Sequence, residues 1–275
     1  MALRSVVPDD ADGKPADPPP AAQLEQIAIA TVRQAADLIS AAYGRARRVA
    51  SKSSPTDVVT QTDLDAERLI RQLLNEATPR AGMLGEEGGA SAAGTRLQWV
   101  IDPLDGTVNF LYDVPVFAVS VAAAADGEVV AGAVVDVLRG EVFSAHLGGG
   151  ARLDDEPISV SSCDKLPAAL IATGFSYQAE RRTEQGAIVH RLLAQARDVR
   201  CFGSAALELC WVACGRLDAY YERDIKVWDY SAGVLIAREA GAIAELPCPE
   251  NDDLVITATP AVFHGLRSVV QLPAV

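Results

Sequence analysis

The stretch Trp99 to Ala124, WVIDPLDGTVNFLYDVPVFAVSVAAA, constrains this chain most. Trp99-Val100-Ile101 is a strand-forming apolar run that delivers Asp102, and Pro103, lacking a backbone N–H, is expected to stop the strand there. Asp105-Gly106 predicts a turn. Two acids and the Thr107 hydroxyl are then crowded at the carboxyl end of a buried strand, where open α/β folds carry ligand chemistry. Such a pair needs a cation. Asp-Pro and Asp-Gly are also ordinary turn dipeptides, so a solvated turn stands as the other reading until the remaining carboxylates are placed.

A chain of 275 residues builds a large core without disulfide staples. Its 37 acidic and 24 basic side chains give a formal charge of −13, a field that repels nucleic acid and anionic membrane surfaces. Neither is expected as a partner. An anionic substrate therefore depends on local cations. Cys163, Cys201, Cys210, Cys214 and Cys248 are odd in number and irregularly spaced, which predicts free thiols and a reducing, cytoplasmic compartment. Cys210 and Cys214 lie one helical turn apart but have no second pair or nearby histidine to complete a zinc site. The longest apolar run, Val114 to Ala125, is too short to span a membrane, and acids and prolines follow Val6-Val7 where a signal peptide would continue apolar.

Residues 1 to 22, rich in proline and aspartate, are expected to form a disordered tail. One domain, 23 to 275, follows. Leu24, Ile27, Ala28, Thr31, Ala35, Leu38, Ile39 and Ala42 have helical spacing, with Gly44 as a stop. Lys52 to Thr60 turns from polar to β-prone, and Thr62 is expected to cap a helix through Leu74 that buries Leu64, Leu69, Ile70 and Leu73. Asp57 reads locally as a turn acid. Met83-Leu84-Gly85-Glu86-Glu87-Gly88-Gly89 places two acids between glycines, which let the backbone approach a ligand closely. Val116 to Ala124, Glu128 to Val137 and Glu141 to Ser144 read as an antiparallel meander. Beyond it strands and helices alternate, with one helix opening at Gly203-Ser204-Ala205-Ala206 and another at Trp228-Asp229. Ser204 and Asp229 each suit a helix start as caps, and helix-start N–H groups also hold ligand oxygens.

Convergence of Glu86, Asp102, Asp105 and Asp229 changes the chemistry. Two carboxylates ~4 Å apart repel by ~4 kcal/mol at an effective dielectric of about 20, so four need cations to stay ionised. With oxygen donors and no histidine or cysteine, the choice is a hard ion, Mg2+ before Zn2+. Two or three such ions would bind a phosphate, activate a water and stabilise a leaving oxygen.

SSPTDVVTQTD at 53–63, GEEGG at 85–89, WVIDPLDGTVNF at 99–110 and WDYSAG at 228–233 together resemble the inositol monophosphatase family, among the lithium-sensitive, Mg2+-dependent phosphatases that include fructose-1,6-bisphosphatase. The resemblance covers residues 23 to 275 and implies the family's layered αβαβα sandwich, an α/β fold, commonly as a homodimer. It implies that Glu86, Asp102 and the Leu104 carbonyl hold one Mg2+. Asp102, Asp105 and Asp229 would hold a second, and a third, weaker ion would sit near Glu86 with mostly water ligands; Glu87 would stand in a supporting place. Gly106 and Thr107 would receive the phosphate on backbone N–H groups. The Thr107 hydroxyl, linked to Asp57, would orient and deprotonate a water for in-line attack, with no phosphoenzyme.

On the substrate side, the resemblance assigns Glu222 to ring hydroxyls of inositol, Gly203, Ser204 and Ala205 to the facing wall, and Arg200 to a substrate-side arginine that reaches in from a neighbouring subunit. A surface ion pair is the plainer reading of Glu222 and Arg200. Val108-Asn109-Phe110 is closer to the inositol type than to relatives acting on histidinol phosphate or nucleotide phosphates. Those esters and fructose 1,6-bisphosphate are the alternative substrates, and a metal-responsive regulatory protein without catalysis is the alternative of another class.

Overall fold

The computed structural model describes residues 17–45, 48–51, 58–91, 96–248 and 253–271. The body of the expected tail and Asp57 lie outside them. Helix α1 (Ala21–Ala42) begins after Pro20 and ends ahead of Gly44, which takes a φ of +74°. Its stripe Leu24, Ala28, Val32, Ala35 and Ile39 is fully buried, and full burial of a leucine or isoleucine contributes about 1.5–3 kcal/mol. A short antiparallel pair, β1 (Arg48–Ser51) and β2 (Val58–Thr60), leads into α2 (Gln61–Ala77).

An eight-stranded sheet follows, made of β3 (Gly82–Gly85), β4 (Gly89–Ala90), β5 (Leu97–Asp105), β6 (Ala118–Ala125), β7 (Glu128–Asp136), β8 (Val142–His146), β9 (Ala151–Leu153) and β10 (Glu156–Pro157). Its spatial order is β10-β9-β8-β7-β6-β5-β3-β4. Five-residue α3 (Thr107–Leu111) sits between β5 and β6. The meander pairs antiparallel, and only β3 lies parallel to its neighbour β5. A second sheet has the order β12-β11-β13-β15-β14. Its strands are β11 (Leu170–Thr173), β12 (Asp198–Arg200), β13 (Ala219–Arg223), β14 (Ile243–Glu245) and β15 (Leu254–Ala258). They alternate with α4 (Ala179–Leu193), α5 (Ala205–Ala213), α6 (Val227–Glu239) and α7 (Pro260–Val270).

Three apolar cores show how these elements stack. Helices α1 and α2 close one face of the large sheet around Trp99, Ile101 and Phe117. Helices α5 and α6 fill the space between the sheets with Leu209, Val212, Ile236 and Tyr220. Helices α4 and α7 cover the far face of the small sheet through Ile188, Leu192, Val262 and Leu266. The molecule is therefore an α/β sandwich layered αβαβα, as expected. No helix among the described residues is long and apolar enough to cross a membrane.

Two local expectations are corrected. Pro103 does not stop its strand: β5 runs on to Asp105, and the register with β6 slips between Asp102 and Asp105, so a bulge absorbs the residue that cannot donate. Helix α2 is capped at Thr60 rather than Thr62, and it buries Asp63, Ala66, Glu67, Ile70 and Leu74 while Leu64, Leu69 and Leu73 are half-exposed. Apolar periodicity misplaced that face because two acids lie on it.

Candidate active site

The bulge in β5 turns Asp102 and Asp105 to the end of the strand. Asp102 is 2% exposed and accepts the Leu104 N–H on Oδ1 at 3.0 Å. Leu104 sends its side chain into the core, leaving the carbonyl to face Thr107. Gly106 caps α3 with a φ of +93°, and a Cβ there would sit 3.0 Å from the Val116 carbonyl and 3.1 Å from the Gly203 carbonyl. Only glycine fits that left-handed, closed position. It lets α3 start against the 203–205 segment, which the Asn109 amide also grips by donating to the Phe202 carbonyl at 2.6 Å and the Val116 carbonyl at 2.8 Å.

Asp105 is fixed from across the interlayer space. Its Oδ2 accepts the Ser204 hydroxyl at 2.6 Å and the Ala206 N–H at 2.7 Å, so this carboxylate occupies the start of α5. Ser204 is the N-cap residue as expected, but its hydroxyl serves Asp105 instead of its own helix. Asp229 stands at the third position of α6 and accepts the Lys226 N–H on Oδ2 at 2.6 Å. Glu86 leaves β3 with its N–H on the Ile101 carbonyl at 3.2 Å.

These acids act on one another. Burial pushes the Asp102 carboxyl well above its ordinary range, and Glu86, Asp105 and Asp229 add to the shift. Asp229 is raised in the same direction, by burial first and then by Asp105 and Glu86. Asp105 is pushed up to about 6 by burial, against the hydrogen bonds from Ser204, Ala206 and Ala205. Among the described residues no three His, Cys, Asp or Glu side chains close around a common point, so the four act at electrostatic range, without a shared ligating geometry. The donor set nevertheless fits a hard divalent ion: every group is an oxygen, and Glu86 and Asp105 raise the proton affinity of both Asp102 and Asp229, which a cation would relieve.

Thr107 is 8% exposed, and its hydroxyl donates to a carboxylate, but the partner is Asp63. Thr107 Oγ1 lies 2.8 Å from Asp63 Oδ1 and 3.0 Å from the Leu104 carbonyl, while Asp63 Oδ2 accepts the Thr60 N–H at 2.9 Å. Asp57, to which the resemblance assigned this role, lies outside the described residues. Asp63 was missed, although Thr60-Gln61-Thr62-Asp63 has the T-x-x-D spacing of a capping box that would have pointed to it.

On the substrate side, Glu222 Oε2 accepts the Tyr220 hydroxyl at 2.6 Å, and burial raises the carboxyl to about 7. Its carboxylate lies against Gly174, where a Cβ would approach within 2.2 Å. Glu208 also had no sequence signal. It is 1% exposed, accepts the Phe202 N–H at 2.6 Å and the Gly203 N–H at 3.3 Å, and so sets the 202–204 wall from below. Arg200 is not brought to this group within the chain: it is exposed and paired with Asp198 at 2.6 Å.

The family model described as the inositol monophosphatase family matches residues 21–262, a span that contains every side chain placed in this site. The chain belongs to the inositol monophosphatase family. It is thus a member of a family of phosphatases that use divalent metal. An inositol-1-monophosphatase of Mycobacterium leprae is 47% identical over 246 residues, covering 85% of this chain and 84% of the relative. A Nus factor SuhB of Xylella fastidiosa is 41% identical, covering 80% of this chain and 83% of its own. The solved structure of Mycobacterium tuberculosis SuhB superposes with a TM-score of 0.79 at 40% identity, covering 91% of this chain and 96% of that one.

Proposed function

We propose that this chain is a Mg2+-dependent phosphomonoesterase that hydrolyses inositol monophosphate to myo-inositol and phosphate, acting through a water oriented by Thr107. The observation that carries this reading is the Asp63–Thr107 hydrogen bond beside the buried carboxylate Asp102 and the half-buried Asp105 and Asp229. A hydroxyl has one proton. With that proton given to Asp63 Oδ1, the Thr107 oxygen presents lone pairs that accept a hydrogen bond from water and aim its oxygen.

Glu86, Asp102, the Leu104 carbonyl, Asp105 and Asp229 would hold two to three Mg2+, which supply neutralisation of the phosphate charge and polarisation of the attacking and leaving oxygens. The phosphate rests on the N–H groups of Gly106 and Thr107 at the start of α3. The water forms its O–P bond opposite the ester oxygen, that P–O bond breaks, and a proton from the water ends on the departing alkoxide. Glu222 accepts hydrogen bonds from ring hydroxyls, with Gly203, Ser204 and Ala205 as the facing wall. Free thiols at all five described cysteines support a cytoplasmic location. Homodimer formation would give exposed Arg200 a route to a neighbouring site.

Relatives named Nus factor SuhB favour a second reading, a regulatory protein that binds partners. A pure scaffold has no need of a pair that orients water beside a cation site, and the charge of −13 opposes direct contact with nucleic acid. A substrate panel separates the readings. Phosphate release is measured from inositol 1-phosphate, fructose 1,6-bisphosphate, histidinol phosphate and nucleotide monophosphates, with MgCl2 or with chelator. The expected result is chelator-sensitive turnover with inositol 1-phosphate ranked first in kcat/KM. Another ester in first place replaces the substrate, and no turnover on any ester overturns the enzyme reading.

A further inference from the structure

The turn that carries Glu86 and Glu87 is held by residues outside every motif discussed so far. Glu67, 3% exposed on α2, accepts the Glu87 N–H on Oε2 at 2.7 Å and the Gly88 N–H on Oε1 at 2.9 Å. Arg71, one turn further along, donates Nε to Glu67 Oε1 at 2.6 Å and reaches the Gly89 carbonyl at 2.6 Å. With the Glu86 N–H on the Ile101 carbonyl, four consecutive residues of the turn are fixed through their backbone.

The glycines around the two acids have a different purpose from the one the sequence suggested. A Cβ on Gly85 would stand 2.2 Å from Glu67 Oε1, and one on Gly88 would stand 2.7 Å from the same atom. These residues are small so that the turn can close on the Glu67 carboxylate; the close approach is to the chain's own side chain.

We propose that Glu67, locked by Arg71, is a positioning residue that sets the 85–89 turn so that Glu86 is presented to the cation site. The inference rests on the phosphatase reading above. Glu67 does not compete for the cation, because its oxygens are engaged by two N–H groups and a guanidinium. Asp63, Glu67 and Arg71 are spaced by four along α2, so one helix face positions both the Thr107 hydroxyl and the Glu86 turn. A group that orients a metal ligand typically changes metal affinity or activity about 10–100-fold when it is replaced.

The test uses the full-length protein and two variants, Glu67→Gln and Gly88→Ala. Glutamine keeps the size of Glu67 but turns an N–H2 group toward one of the backbone donors; alanine at 88 pushes the carboxylate away from the other side. MgCl2 affinity is measured by calorimetry, the metal-free melting temperature by circular dichroism, and kcat at saturating Mg2+. The expected result for both variants is a cooperative metal-free fold, Mg2+ binding weakened by about 10–100-fold, and kcat largely recovered when Mg2+ saturates. Folded variants with wild-type Mg2+ affinity overturn the proposal. If neither variant folds, Glu67 is a staple of the fold and the proposal also falls. A wild-type protein that gives no Mg2+ heat instead indicts the phosphatase reading, which separates the two failures.

Discussion

Helices α2 and α6 each begin with an aspartate at the third helical position that closes back on the N-cap. Asp63 Oδ2 takes the Thr60 N–H at 2.9 Å, and Asp229 Oδ2 takes the Lys226 N–H at 2.6 Å. The helix dipole favours an acid at both places. What differs is the partner across the site. Asp63 turns its other oxygen to the Thr107 hydroxyl, whereas Asp229 faces Asp105, Glu86 and Glu222, which with burial hold its carboxyl well above the ordinary range. Local sequence makes the two aspartates equivalent caps, and tertiary packing makes one an orienting group and the other a candidate cation ligand.

The largest break in this symmetry is expected from Asp229→Asn. Asparagine can still accept the Lys226 N–H, so the cap and the melting temperature should hold. The charge is lost, and kcat should fall on the order of 10³-fold, the scale of removing one group that stabilises transition-state charge. Steady-state kinetics with calorimetric Mg2+ titration checks this, and a variant with normal Mg2+ binding would remove Asp229 from the ligand set.

A smaller effect distinguishes the crowded carboxylates by pH. Asp105 at about 6 and Glu222 at about 7 are both raised above their ordinary values by burial, so the metal-free folded protein binds protons more tightly than the unfolded chain. Stability from this source is complete below the ordinary carboxyl range and is lost as pH rises through those two values. The metal-free melting temperature should therefore fall between about pH 5 and pH 8, and saturating Mg2+ should flatten the dependence by neutralising the same charges. A metal-free melting temperature that is flat over this window would contradict the account of carboxyls held above their ordinary values by burial.

The sequence carried the layers and the acids well, for physical reasons that particular residues illustrate. Leu24 to Ile39 keep a strict helical stripe, and the meander expected from Val116 onward pairs antiparallel as β6, β7 and β8. Asp102, Asp105 and Asp229 stand in short motifs because their roles depend on strand and helix ends that local residues define. Asp63 was legible only as a helix cap, from its T-x-x-D spacing, and Glu67 and Glu208 were not legible at all. Each is a buried acid on a helix, satisfied by backbone or hydroxyl donors that are distant in sequence for the last contact of Asp63 and for Glu67, and apolar periodicity passes over such positions. Pro103 misled in the opposite direction, since a missing N–H costs a strand nothing when a bulge falls at the same place.

The most direct measurement of the central claim is kcat and Mg2+ affinity of Asp63→Asn, taken beside the wild type. Asparagine keeps an acceptor for the Thr60 N–H but weakens the pull on the Thr107 proton, so kcat should drop by about 10²-fold or more while calorimetry returns the wild-type Mg2+ affinity. Full activity in this variant, or a loss of Mg2+ binding like that expected of Asp229→Asn, would contradict the assignment of Asp63 and Thr107 to the attacking water.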